Sequence, residues 1–455
     1  MIFEIIKSVG IAHKSYFIGS KGNAAIIDPR RDVDVYLDLA CSNDLKITHI
    51  FETHRNEDYV IGSLELADIT GADIYHGSKM DFLYGSPVYD GDIFKVGSIE
   101  LEILETPGHT HESISLSLID KEASDEPYMV FTGDTLFAGD VGRTDFFGEE
   151  KTPEMAELLY SSIHEKILPL GDNVIICPAH GAGSVCGADL REQDITTVGY
   201  EKKTNPMLQI NKDEFIKRKI EEKLYTPPYF KVMEINNLNG PNILERLPYC
   251  QPLNPEEIIK LTKKGAQLID IRKPTSFGGG HIPHSINIWR EGFSAFVGYY
   301  LNYEDPIIII DDNGENIEDI VRQLVRLGYD NVYGYLGGGF PAWYINAQTV
   351  DKLDLWSVQR LKEAIDNKED IYQLDVRKIN DYEKVRIKDS HHIWVGHIKQ
   401  NLKKIPKNNK IVVYCDSGFK STLACSILKI HGYKNLKSVL GSMGAWLKAG
   451  FPIVK

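Results

Sequence analysis

None of the chain's six cysteines (Cys41, Cys177, Cys186, Cys250, Cys415 and Cys425) forms a Cys-x-x-Cys pair with another. A chain of 455 residues with so few is no disulfide scaffold, and most of them are expected as small buried hydrophobes. Basic excess is missing as well. The formal net charge is -14 and no long Lys/Arg run occurs, which excludes nucleic acid and anionic membrane surfaces as expected partners. Anionic small molecules stay open, because local Arg and Lys can override the global field. Long apolar runs are absent: nothing approaches the ~20 residues that cross a bilayer. The opening MIFEIIKSVG is cut by Glu4 and Lys7 and is followed by no small-residue cleavage site, so no leader is expected and a cytoplasmic location is.

What is present is ordinary core material, with 42% hydrophobic and 25% charged residues. The length suggests about three domains. Up to residue 235, strands are predicted over 2–9, 15–19, 24–28, 48–51, 93–96, 100–105, 113–118, 128–132 and 173–177. Helices are predicted over 33–41, 61–70, 153–166 and 212–223. Many strands with a few interleaved helices predict a two-sheet α/β sandwich. Residues 236–255 are rich in Asn, Gly and Pro and read as a linker. A duplication follows. Asp270-Ile271-Arg272 matches Asp375-Val376-Arg377, 307–311 matches 411–415, and Leu336-Gly337-Gly338 matches Leu440-Gly441-Ser442. The offset of about 104 residues predicts two copies of one small parallel α/β domain, over 256–350 and 351–455.

Three strand ends each deliver one nitrogen or oxygen donor. His54 closes the apolar run Ile47–Phe51, His109 follows Thr106-Pro107-Gly108, and Asp134 follows Thr132-Gly133. Loops are polar, so one such residue means little; three together predict a metal site. Two histidines and a carboxylate leave open positions on an octahedral cation, which suits non-haem Fe(II).

With Pro178-Ala179-His180-Gly181 and Gly139-Asp140-x-Gly142-Arg143-x-Asp145, these pieces resemble the metallo-β-lactamase fold and, within it, the persulfide dioxygenases. The resemblance covers the whole of 1–235. It implies an αββα sandwich and one Fe(II) per chain on His54, His109 and Asp134. The superfamily's usual first motif is His-x-His-x-Asp-His; here Asn56 and Tyr59 replace its later histidines, which weakens a two-zinc hydrolase reading. Asp58 and His180, second-site residues in two-metal relatives, are expected to orient ligands or water, or else to be satisfied buried polar groups. Arg143 is expected either beside an anionic substrate or in an ion pair with Asp140 or Asp145. Cys186 is weighed as an accessory thiol against a small buried cysteine.

A second constellation is Cys415-Asp416-Ser417-Gly418-Phe419-Lys420-Ser421 between an apolar strand and a helix over 422–431. Backbone N–H groups and a helix N-terminus there would stabilise a thiolate. The loop resembles the rhodanese sulfurtransferase site, Cys-x-x-Gly-x-Arg, with 416–421 as its substrate-binding loop. Lys420 stands for the usual arginine, so a bidentate fork is lost, and Asp416 is acidic. The middle copy resembles a rhodanese too, with Asp311 where the nucleophile would be; a carboxylate cannot carry a persulfide, so that copy is expected to be inactive, a spacer or interface.

The full order resembles the fused persulfide dioxygenase–rhodaneses of sulfide detoxification. It implies a low-molecular-weight thiol persulfide, O₂ and sulfite or thiosulfate as small-molecule partners, and a homo-oligomer is expected. Two rivals are a glyoxalase-II-like zinc thioesterase and a non-catalytic sulfur carrier.

Overall fold

In the strand Asn23–Ile27, Ala25 and Ile27 point into one core while Ala24 and Ile26 point into another. That period-2 division runs through the first part of the chain and makes layers rather than a single face. The computed structural model describes residues 1–184, 187 and 190–455, which fall into two units: 1–247 with 325–328, and 248–324 with 329–455.

The first unit holds two six-stranded sheets. One runs Ile2–Ser8, His13–Ser20, Asn23–Ile27, Lys46–Glu52, Asp73–Gly77 and Ser86–Val88, antiparallel at first and parallel from Asn23–Ile27 onward. The other runs Thr196–Thr197, Ile175–Pro178, Met129–Gly133, Ile114–Asp120, Ile99–Glu105 and Ile93–Val96. Tyr16, Ile27 and Phe51 from the first meet Leu101, Leu116 and Phe131 from the second. The outer faces are covered by helices. Phe17, Ile26 and Ile50 pack with Tyr36 and Leu66 of Asp34–Ser42 and Ser63–Thr70. Val130 and Ile176 pack with Leu159, Ile163 and Phe215. The unit is thus the expected αββα sandwich. The helix predicted over 153–166 is α-helical over Thr152–Ser161 and continues as a π-helix over Ser162–Ile167.

The second unit contains two five-stranded parallel sheets of identical order. One runs Gln251–Leu253, Val332–Leu336, Ile307–Ile310, Gln267–Asp270, Ile286–Asn287; the other Asp354–Trp356, Leu436–Val439, Lys410–Tyr414, Ile371–Asp375, His391–His392. Central strands of a parallel sheet are covered on both faces, hence the unbroken Ile307–Ile310, all four residues buried. The copies repeat in detail. Arg272 forks onto Asp270 and Arg377 onto Asp375, each with Nη2 2.6 Å from the carboxylate, and each arginine also donates to a main-chain carbonyl, of Gly280 and Val385. Trp343 and Trp446 each donate Nε1–H to a carbonyl six residues on, both at 2.9 Å.

The stretch 236–255 differs from a plain linker. The helix Phe230–Asn239 runs into it and the edge strand Gln251–Leu253 ends it. Consecutive Asn236-Asn237 read as a turn in the sequence; in the fold Asn237 is buried and its amide is fully used, as described below. No helix among the described residues is long and apolar enough to cross a membrane.

Candidate metal centre and cysteine loop

Two strands end side by side at the centre of the site. Met129–Gly133 and Ile175–Pro178 pair in parallel, so Asp134 and His180 emerge together. His54 arrives from the other sheet, two residues beyond Lys46–Glu52. Gly133 permits the approach: at φ 51° it lies so close to Thr53 that a Cβ would stand 2.6 Å from Thr53 Oγ1. Gly142 is needed likewise, since a Cβ there would meet Asp134 O at 2.0 Å.

Hydrogen bonds fix which ring nitrogen of each histidine carries a lone pair. Thr53 donates its hydroxyl to Asp28 Oδ2 at 2.7 Å and its N–H to Asp28 Oδ1 at 2.8 Å. Burial pushes Asp28 up to about 7, and these two bonds pull against it, both using the carboxylate form. With its one proton committed, Thr53 Oγ1 accepts from His54 Nδ1–H at 2.9 Å, and the lone pair falls on Nε2. His109 Nδ1 donates to Arg143 O at 3.0 Å; a carbonyl can only accept, so again Nε2 is free. These nitrogens stand 3.8 Å and 3.4 Å from Asp134 Oδ2.

The donor atoms of His54, His109 and Asp134 lie within 4.8 Å of one another and all three residues are buried, which no other group of three among the described residues achieves. His109 Nε2 and Asp134 Oδ2 have no hydrogen-bond partner. A buried carboxylate oxygen left so is expensive, and a cation between the three donors resolves it. The residues fit a metal ion.

His180 bridges two acids. Its Nδ1 is 2.7 Å from Asp134 Oδ1, and its Nε2 is 2.9 Å from Asp58 Oδ2 in an ion-pair contact not aligned as a hydrogen bond. Burial opposes its charge, but the two carboxylates outweigh burial and raise its pKa well above the usual imidazole range. Its Nδ1 holds Asp134 Oδ1 and leaves Oδ2 turned to His54 and His109. Asn56 and Tyr59 are turned to structural duty. Asn56 Nδ2 donates to His54 O at 3.1 Å, and Tyr59 packs its ring on His13 with its hydroxyl near Asp28 O. Asn237 pins this loop, donating to Asn56 O at 2.6 Å and Tyr59 O at 2.8 Å and accepting from Ile61 N at 3.0 Å.

Arg143 is held by an ion pair with its own near neighbour. It is fully buried, forks onto Asp145 at 2.7 Å through both Nε and Nη2, donates to Thr226 Oγ1, and stacks against Phe146. Its carbonyl accepts from His109 at the site. The alternative expected from the sequence, an ion pair with Asp145, is what the fold contains. Cys186 lies outside the described residues.

Sequence reasoning missed Glu57, Asn237 and the Asp28–Thr53 pair. Glu57 is fully buried within the first motif, its Oε2 3.6 Å from His109 Nε2. A charged residue flanked by two site positions was the available signal; Asn237 and Asp28 are remote in sequence and gave none.

In the other unit, Cys415 is buried at the end of Lys410–Tyr414. Gly418, at φ 105°, turns its N–H onto Cys415 Sγ at 3.1 Å and caps the twelve-residue helix Phe419–Ile430. Ser442 Oγ accepts from Cys415 N, and Met443 N donates to Cys415 O. Lys420 is ion-paired with Asp416, Ser417 is exposed at the rim, and Ser421 faces inward onto Gly418 O and Ser438 Oγ. In the middle copy Phe340 N donates to Asp311 O, as Met443 N does to Cys415 O, so Asp311 holds the nucleophile's place; Arg290 Nη2 is 3.6 Å from its Oδ2.

Residues 10–180 match the family model of the metallo-beta-lactamase superfamily. A hydroxyacylglutathione hydrolase of Haemophilus influenzae is 33% identical over 209 residues, 41% of this chain and 87% of that protein. The chain belongs to the metallo-beta-lactamase superfamily. A mitochondrial persulfide dioxygenase of Bos taurus is 31% identical over 225 residues, 47% of this chain and 77% of that protein. Residues 254–346 and 357–449 each match the rhodanese-like domain. A solved metallo-beta-lactamase of Staphylococcus aureus subsp. aureus COL superposes with a TM-score of 0.66 at 33% identity, covering 74% of this chain and 98% of that one. This superfamily member thus carries tandem rhodanese domains behind its metal domain, the arrangement of a fused dioxygenase–rhodanese. The matches are those of an enzyme whose domains are of the sulfur-dioxygenase and sulfurtransferase types.

Proposed function

We propose that the chain oxidises a low-molecular-weight thiol persulfide with O₂ at its metal centre and moves sulfane sulfur through Cys415. The observation that carries the first part is one three-donor group among the described residues, His54, His109 and Asp134, beside positions 56 and 59 that lack the histidines of a second metal site. Held there, one Fe(II) per chain would supply open positions for the terminal sulfur of the persulfide and for O₂, and the electrons that activate O₂. The protein's own part is positional. Asp28 and Thr53 orient His54, the Arg143 carbonyl orients His109, and His180 with Asp58 behind it holds Asp134. The donors are buried, which keeps bulk water from them. Overall, one persulfide, one O₂ and one water give one thiol, one sulfite and protons.

Cys415 is the proposed nucleophile of the second part. Its thiolate, held by Gly418 N–H at the helix start, attacks a sulfane sulfur; the donor's sulfur–sulfur bond breaks, leaving a cysteine persulfide. Sulfite then takes the outer sulfur as thiosulfate and the thiolate returns. The reverse direction uses the same loop. Phe419, Lys420, Asp416, Ser417 and Ser421 line it, and the Asp416–Lys420 pair leaves less net charge for a dianion than the usual arginine would. Sulfide detoxification by a cytoplasmic homo-oligomer is the physiological setting proposed.

The test is metal content with O₂ uptake on a glutathione-type persulfide. One iron per chain and O₂ consumption are expected; two zincs and no O₂ uptake would overturn the reading. Cys415→Ser is expected to keep sulfite production and lose thiosulfate. A second reading, a zinc thioesterase, draws support from the 33% identity to the Haemophilus hydrolase, and thioester cleavage with two zincs would favour it.

A further inference from the structure

Glu57 sits inside the first motif and is fully buried. Its Oε1 takes Arg55 Nη2 at 3.1 Å, while its Oε2 has no hydrogen-bond partner. That oxygen lies 3.6 Å from His109 Nε2, close to the 3.4 Å that separates the same nitrogen from Asp134 Oδ2. Two buried anionic oxygens therefore face one ring nitrogen. Because His109 Nδ1–H is committed to Arg143 O, Nε2 presents a lone pair in the neutral ring. An arrangement of two anions and a lone pair is repulsive unless a proton or a metal cation stands among them.

A cation held by His54, His109 and Asp134 satisfies Nε2 and Asp134 Oδ2. It leaves Glu57 Oε2 beside it, needing either the cation or a hydrogen of a molecule bound to it. We propose that Glu57 is a fourth group of this metal centre, its Oε2 accepting from a water bound to the cation. Donors about 2.1 Å from a divalent ion stand about 3.0 Å apart when adjacent and about 4.2 Å when opposite. The 3.4 and 3.8 Å separations of Asp134 Oδ2 from the two histidines fall between those values. Glu57 is outside the group whose atoms are all within 4.8 Å of one another, beyond what direct ligands span, so it reaches the cation through a bound water. Arg55 keeps the added charge tolerable, being paired with Glu57 and 3.7 Å from Glu234. A second carboxylate beside the ion would tighten its binding electrostatically and orient the bound water.

The inference rests on the metal reading of the site and not on the O₂ reaction. The full chain, stripped of metal, is titrated with Co(II) against a competing chelator while its visible absorption is recorded. Glu57→Gln keeps the shape and removes the charge; its Co(II) affinity is expected to fall about 10- to 100-fold, with an altered absorption spectrum. Affinity within twofold of the parent and a superimposable spectrum overturn the proposal. Should Glu57→Gln fail to fold, Glu57→Asp withdraws the carboxylate by one methylene; a changed spectrum supports the proposal and an unchanged one overturns it. Failure of the parent protein to consume O₂ would remove the dioxygenase reading and leave this result standing.

Discussion

Thr53 Oγ1 stands between Asp28 and His54 and transmits one choice, the proton position on the imidazole. Replacing it by valine keeps the volume and removes the acceptor, so His54 Nδ1–H loses its partner and the other tautomer becomes available. Thr53→Val is expected to weaken divalent-metal affinity about 10- to 100-fold with an unchanged fold, read by metal titration and circular dichroism. A different residue carries a pH effect. His281 is buried, stacks on Phe277 at 3.8 Å, and donates Nδ1–H to Phe277 O. Burial pushes its pKa down to about 4 from an ordinary 6.5. A histidine depressed in the fold binds fewer protons there than in the unfolded chain. It therefore contributes stability above pH 6.5 that is lost as pH falls toward 4, at no more than about 1.4 kcal/mol per pH unit. Protection of strand Gln267–Asp270 against hydrogen exchange is expected to drop between pH 7 and 5, and less so in His281→Gln.

The elements differ in how plainly they announce themselves. The strand Lys46–Glu52 and its His54, or Lys410–Tyr414 and its Cys415, show in sequence because a covered parallel strand is an apolar run that stops abruptly where polar chemistry begins. Asp73–Gly77 does not, since DIYHG carries Asp, His and Gly; parallel pairing on both its sides makes it a strand anyway. The helix Phe230–Asn239 is equally hidden, because Asn237 lowers local helix propensity and repays it by long-range hydrogen bonds to Asn56, Tyr59 and Ile61. The three candidate metal ligands were thus legible as strand ends, while Glu57's aim and Arg143's burial depend on neighbours far along the chain. Element packing also bears on the cysteine loop. Phe419 at the start of its helix meets Trp289 of the middle copy at 5.1 Å, and Ser426 on the same helix accepts from Asn287 N. Trp289→Ala is expected to lower the melting temperature of this unit and slow sulfur transfer severalfold while metal content stays unchanged. Equal transfer rates would show that the loop does not depend on that wall.

Across the whole molecule, one architecture is used twice with different outcomes. Asp311 occupies the place of Cys415, yet the helices that follow begin differently, at Phe419 in one copy and only at Ile317 in the other. The turn of 415–418 is therefore replaced by a longer loop containing Asp312, Glu315 and Asn316. Asp311→Cys in a Cys415→Ser background is expected to restore no sulfur transfer, checked by thiosulfate formation and by the alkylation rate of the new thiol. Such transfer would show that the side chain alone silences the middle copy. The shared strand order has a further consequence during synthesis. Two neighbouring sheets built to one plan offer each strand a second berth, and exchange between adjacent repeats is a known hazard of nascent multidomain chains. The copies here have drifted apart where exchange would begin: Ile307–Ile310 is wholly apolar, whereas Lys410–Tyr414 opens on a lysine and closes on a tyrosine whose hydroxyl seeks Ser390. A strand of one copy placed in the other's sheet would therefore leave a lysine and a tyrosine where four isoleucines are buried, which disfavours exchange between the pair.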